Sequence, residues 1–93
     1  MDVTVAVTRM PEFKKLHKID PVLYNRLLMN NFTTIEELLT ANAYDLVDIP
    51  YLGTKRLAKL AVWLESEYKR PGWLDVVLQS GYFRKEYEAL THA

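Results

Sequence analysis

Three cationic side chains, Lys55, Arg56 and Lys59, follow the turn Ile49-Pro50-Tyr51-Leu52-Gly53 with no acidic residue among them. Pro50 disfavours α geometry at Ile49, and Gly53 is free to take positive φ, so the segment reads as a tight turn that opens a helix near Thr54. The first turn of a helix carries N–H groups without intrahelical partners and the positive end of the helix dipole, and together these attract a phosphate. Cations at that end oppose the dipole by about 0.3–1 kcal/mol each. A chain selected for stability alone would place Asp or Glu there. The placement therefore points to an external anion such as a sugar-phosphate strand; the alternative is three cations that only solvate a polar face.

Other reactive side chains do not converge. His17 and His92 are isolated, with no ligand-like partner at i+3 or i+4. Ser66 and Ser80 lack a nucleophile elbow. Gly53, Gly72 and Gly81 are too dispersed for a phosphate-binding loop, and the chain has no cysteine for a disulfide, a thiol nucleophile or a zinc-thiolate site. Glu36-Glu37 falls in the capping box that starts at Thr34, and Glu65 and Glu67 lie on a solvated helix face. The expectation is a non-enzymatic protein with no metal and no cofactor.

The elements that position the hairpin are short helices. Asp20-Pro21 is an N-cap followed by proline at the first helical position, and Leu23, Leu27 and Leu28 continue a helix over 21–30 that Asn30-Asn31 ends. Further helices are expected from the Thr34 capping box with Ile35, Leu38 and Leu39, from Asn42 with Leu46 and Val47, from near Thr54 to a break at Pro71-Gly72, over 73–80 and over 82–90. In the longest, Leu57, Leu60, Ala61, Leu64 and Tyr68 share one face. Residues 12–19 form a short helical turn with Phe13 and Leu16 at i,i+3. Val3, Val5 and Val7 alternate with small or hydroxyl residues as in a strand. A lone strand leaves backbone groups unpaired, so residues 3–8 are expected to be an extended arm or to pair with a second copy in a homodimer.

Length and composition fit one small all-α bundle of about five helices. The 93 residues are one domain's worth of chain, with 12 basic against 12 acidic residues and 49% hydrophobic content. That balance argues against a disordered chain and against a wholly basic nucleic-acid coat. An N-terminal arm (1–19), a helix-hairpin-helix core (20–70) and a C-terminal helical cap (71–93) are the expected parts of that single domain. No apolar run approaches the roughly 20 residues of a membrane span, and the N-terminus lacks the pattern of a secretory signal, so a cytoplasmic location is expected.

Residues 20–64 resemble the C-terminal domain of the bacterial RNA polymerase α subunit, a member of the helix-hairpin-helix group. The family turn runs Pro-Asn-Leu-Gly-Lys-Lys-Ser-Leu; here it reads Pro50-Tyr51-Leu52-Gly53-Thr54-Lys55-Arg56-Leu57. Upstream, Asn25, Leu27, Ile35, Glu37-Leu38 and Leu46-Val47 match the family pattern without a gap. The resemblance implies contact with the DNA minor groove and nearby phosphates, with Asn25, Gly53 and Lys55 in the roles of the family's asparagine, glycine and lysine. The family's groove-reading arginine is replaced by Val22, which cannot insert a cation into an A·T-rich groove. Arg26, Arg56 and Lys59 restore charge, so the binding expected is to the backbone of double-stranded DNA. Neutralising three to five phosphates corresponds to a log-log salt slope of about −3 to −4.5.

A protein partner is the alternative. The Glu37-Leu38-Leu39, Asp45-Leu46 and Leu52-Gly53 pairs also resemble sterile alpha motif domains, which bind proteins. A stand-alone mimic of the polymerase domain, encoded by a phage or mobile element, would bind the transcription machinery or sequester a host factor. Glu36, Glu37, Asp45 and Asp48 form an acidic counterpart to the basic hairpin. Trp73, Tyr82 and Phe83 are expected to fold back onto the long helix; the other arrangement leaves Tyr51, Trp63 and Tyr82 as an exposed patch for the partner.

Overall fold

The structure, a computed structural model, describes residues 12–92. The segment 3–8, with the strand and the homodimer contact expected of it, lies outside the described residues. From there the chain is a succession of seven helices: α1 (12–19), α2 (Pro21–Met29), α3 (Ile35–Thr40), α4 (Ala43–Val47), α5 (Gly53–Glu67), α6 (Leu74–Ser80) and α7 (Arg84–Thr91). The fold is all-α, and no strand occurs among the described residues. Among the described residues the helices number seven: each of the six expected segments forms one, and 12–19, expected as a short helical turn, forms the seventh.

Local chemistry sets most of these boundaries. Asp20 caps α2: its Oδ1 accepts from the N–H groups of Val22 and Leu23 at 3.1 Å each. The other end of α2 closes at Asn31, which takes φ 70. Its N–H donates to the Leu28 carbonyl at 3.0 Å and that of Phe32 to the Leu27 carbonyl at 2.9 Å, a Schellman closure. At α3 the Thr34 hydroxyl accepts from the Glu37 N–H at 3.1 Å, and Glu37 Oε1 accepts from the Thr34 N–H at 3.0 Å. Glu37 also takes the N–H and the hydroxyl of Thr33, which hold its carboxyl below the usual carboxylate range. Asn42 caps α4 through the Tyr44 N–H, and Gly81 at φ 80 ends α6.

Helix α5 supplies the centre of the core. Leu57, Ala58, Leu60, Ala61 and Leu64 are buried along it. Packed with them are Leu23 and Leu27 of α2, Leu38 of α3, Leu46 of α4, and Phe13 and Leu16 of α1. Each fully buried leucine contributes about 1.5–3 kcal/mol relative to exposure. The C-terminal segment joins the same core: Trp73, Leu74, Val77 and Phe83 are buried and α7 runs along α5, but Tyr82, expected to fold back with Trp73 and Phe83, follows the Gly81 turn and stays 43% exposed. Trp73 is anchored as well as buried, its Nε1–H donating to the Leu38 carbonyl at 2.7 Å. Arg70 bridges Glu65 of α5 and Asp75 of α6, and the Tyr87 hydroxyl donates to Glu65 at 2.6 Å, tying α5, α6 and α7 together.

Candidate nucleic-acid interface

The turn between α4 and α5 is pinned at two points. Ile49 and Leu52 are buried plugs, 4% and 2% exposed, and Pro50 and Tyr51 bridge them. Tyr51 lies in the left-handed region at φ 63, which a side chain with a Cβ adopts at a cost of about 1–2 kcal/mol. The ring points outward and is 83% exposed. Gly53 follows at φ 82, where glycine has no such penalty.

Helix α5 starts there without a side-chain cap, unlike α2, α3 and α4. Gly53 and Lys55 are exposed, and Lys55 makes no ion pair among the described residues. The expected trio of outward cations is divided, however. Arg56 and Lys59 both reach Asp20: Arg56 Nε lies 3.2 Å and Lys59 Nζ 3.1 Å from its Oδ2. The Asp20 side chain is only 8% exposed, so this pair of contacts fills the side of α5 that faces α2. Burial raises the Asp20 pKa, but the Leu23 N–H, Lys59 and Arg56 outweigh it and hold the carboxyl below its ordinary value. A second internal carboxylate, Glu86 of α7, accepts from the Thr54 hydroxyl at 2.9 Å on the first turn of α5.

The structure joins α2 to this turn a second time. The Arg26 guanidinium lies over the Tyr51 ring, its Cζ 5.2 Å from the centroid. Two separate contacts thus tie α2 to the start of α5: Arg26 with Tyr51, and Asp20 with Arg56 and Lys59. Gly53 and Lys55 lie in the first turn of α5, before Arg56. Asn25 is exposed next to Arg26 on α2, and Val22, 40% exposed, stands one turn before Arg26. The aromatic patch expected of Tyr51, Trp63 and Tyr82 does not form through ring contacts. Trp63 is half-buried edge-on to Tyr68, while Tyr82 is 43% exposed beyond α6.

Two participants were not legible as site residues. Asp20 reads in the sequence only as a helix cap, and Glu86 reads as one acid among several. Nothing in the local pattern brings either to α5, since the contacts span 39 residues for Asp20 with Lys59 and 32 for Glu86 with Thr54. Of the acids read as a counter-face, Glu37 is used in the α3 capping box, while Asp45 and Asp48 are exposed. Among the described residues no group of His, Asp or Glu is arranged to hold a metal ion, and no helix is long and apolar enough to cross a membrane. Comparison with protein-family models, with curated proteins and with solved structures finds no match to this chain.

Proposed function

We propose that this is a small non-enzymatic binding protein that holds the phosphate backbone of duplex DNA at the face made by α2 and the start of α5, and that it works in transcription or its regulation. The observation that carries this reading is an α5 N-terminus without a side-chain cap, bearing Lys55, Arg56 and Lys59 in its first two turns and opened by a turn whose Tyr51 ring lies under Arg26 of α2. Phosphate oxygens would accept from the first amides of α5 and from Lys55, with Arg26 held beside them by the Tyr51 ring. The resemblance of residues 20–64 to the polymerase α domain points the same way and supplies the link to transcription.

The internal carboxylates weaken this binding in a calculable way. Asp20 and Glu86 offset part of the charge of the four cations, leaving about two to three phosphates' worth of neutralisation. The expected salt slope therefore falls to about −1.8 to −2.7, shallower than the cations alone imply. A salt titration of a fluorescent duplex tests the reading: binding should be micromolar or weaker, with a slope in that range. No binding at low salt, or binding indifferent to salt, overturns it.

One observation favours a protein partner as the second reading. Tyr51 is 83% exposed and backed by Arg26 of α2, a helix that also exposes Val22 and Met29 at 40% and 71%. An exposed tyrosine beside an arginine has the composition of an interface hot spot. Such a partner would present carboxylates around an apolar side chain, and its binding would survive at salt that abolishes backbone binding.

A further inference from the structure

Asp20 has two jobs that a single oxygen would not need. Its Oδ1 accepts from the Val22 and Leu23 N–H groups and, at 3.4 Å, from Arg56 Nε, while its Oδ2 accepts from Lys59 Nζ at 3.1 Å and lies 3.2 Å from Arg56 Nε. The first job is local, and any good N-cap residue performs it. The second places a buried carboxylate oxygen at hydrogen-bond distance from two cations whose own side chains remain 39% and 43% exposed. A phosphate oxygen makes the same contacts with the same donors. Arg56 and Lys59 are thus already arranged as an oxyanion-binding pair, one turn apart on α5, and the anion they hold is supplied by the chain itself.

We propose that Asp20 is an internal counter-ion that masks an oxyanion site formed by Arg56 and Lys59, and that it sets how tightly this face holds phosphate. The proposal deepens the DNA-backbone reading and rests on it for the biological ligand, but the masking itself concerns any phosphate oxygen. Occupancy by Asp20 explains why Arg56 and Lys59 stand at a helix N-terminus, where they oppose the dipole, without loosening the fold. It also makes the affinity of the face adjustable by one residue. A ligand must displace a carboxylate that is tethered and pre-positioned, so only closely spaced phosphates compete with it well.

The test separates the cap from the charge. Asp20→Asn keeps an oxygen for the Val22 and Leu23 N–H groups and removes the negative charge; Asp20→Ser does the same with a shorter side chain. Asp75→Asn, which removes a carboxylate paired with Arg70 away from the turn, is the control. Inorganic phosphate is titrated against each protein while the Arg56 Nε–H resonance is followed, with thermal melting to verify folding. Saturable shifts in the millimolar range are expected in both Asp20 variants, with at least fivefold weaker response in the unmodified chain and in Asp75→Asn. Adding Lys59→Ala to Asp20→Asn, which keeps the Arg56 resonance, should weaken the response at least fivefold.

A parallel duplex titration should show Asp20→Asn steepening the salt slope by about 0.9 and raising affinity roughly tenfold at ~50 mM salt, the gain of one added phosphate contact. Equal phosphate responses in Asp20→Asn, Asp20→Ser and the unmodified chain overturn the proposal. A phosphate response in the variants with no duplex binding in any protein leaves the masking standing and overturns the DNA reading instead.

Discussion

The Arg26 guanidinium is stacked on the ring of Tyr51, with Cζ 5.2 Å from the ring centroid, and that contact joins the second helix of the fold to the apex of the α4–α5 turn. Neither residue belongs to the buried core: Tyr51 is 83% exposed and Arg26 half-buried. A cation–aromatic contact at an exposed site contributes about 0.5–1 kcal/mol. The left-handed conformation of Tyr51 costs about 1–2 kcal/mol. The pair is therefore not a stabilising device on balance.

That balance gives a first prediction. Tyr51→Gly removes the conformational penalty and the ring together, so stability should stay level or rise by up to about 1 kcal/mol. The same variant should weaken ligand binding severalfold. Chemical denaturation and duplex titration on one preparation check both; a loss of stability above about 1 kcal/mol would contradict the assignment of the strain.

The cations should not be equivalent. Lys55→Ala removes a charge that has no ion pair among the described residues and should flatten the salt slope by about 0.9 with roughly tenfold weaker binding. Arg26→Ala should do the same and also free the Tyr51 ring. Arg56→Ala and Lys59→Ala taken singly should matter less for binding, because each charge is already shared with Asp20. Equal losses across all four variants, measured as salt slopes, would show that Asp20 does not shield its two partners.

Acid should erode stability through two named carboxyls. Asp20 and Glu37 are both held below their ordinary pKa in the folded chain. Groups shifted in that direction stabilise at pH above the unfolded value, and the contribution is lost as pH falls through the folded value. Melting temperature should therefore hold steady down to about pH 5 and drop below the ordinary carboxylate range near pH 4. In the double variant Asp20→Asn, Glu37→Gln this part of the acid loss disappears, so its deficit against the unmodified chain should shrink as the pH is lowered through that range. A deficit that is constant with pH would show the carboxyl charges to be immaterial.

The C-terminal segment should prove inseparable from the rest. Trp73 and Phe83 fill the core built on α5, and the Trp73 indole satisfies the Leu38 carbonyl. Trp73→Phe keeps most of the apolar volume but leaves that buried carbonyl without its donor, at a cost of about 1–3 kcal/mol. Phe83→Ala should cost about 3–5 kcal/mol by opening a cavity. A chain ending at residue 70 should fail to give a cooperative melt by circular dichroism; a cooperative one would show that residues 20–70 suffice.

Much of this molecule is fixed by patterns within a few residues of each other. The Asp20-Pro21 start, the Thr34–Glu37 capping box, the Asn42 cap and the Gly53 and Gly81 punctuation each act over one helical turn, so the all-α fold and its helix boundaries were readable to within a residue or two. The apolar stripe of α5 was readable for the same reason, since helical spacing alone decides which side chains share a face. The Tyr51 turn and the run of cations after it were also visible in the sequence as a candidate site. The partners of those cations were not. Which charges meet depends on how α2 and α7 lie against α5, and that is decided by packing Leu23, Leu27 and Leu60 into a shared interior rather than by any local motif. Burial then brought Asp20 to Arg56 and Lys59, because a carboxylate removed from water must find compensating donors. Tertiary packing thus turned three cations in a row into one open lysine and a pair already holding an anion.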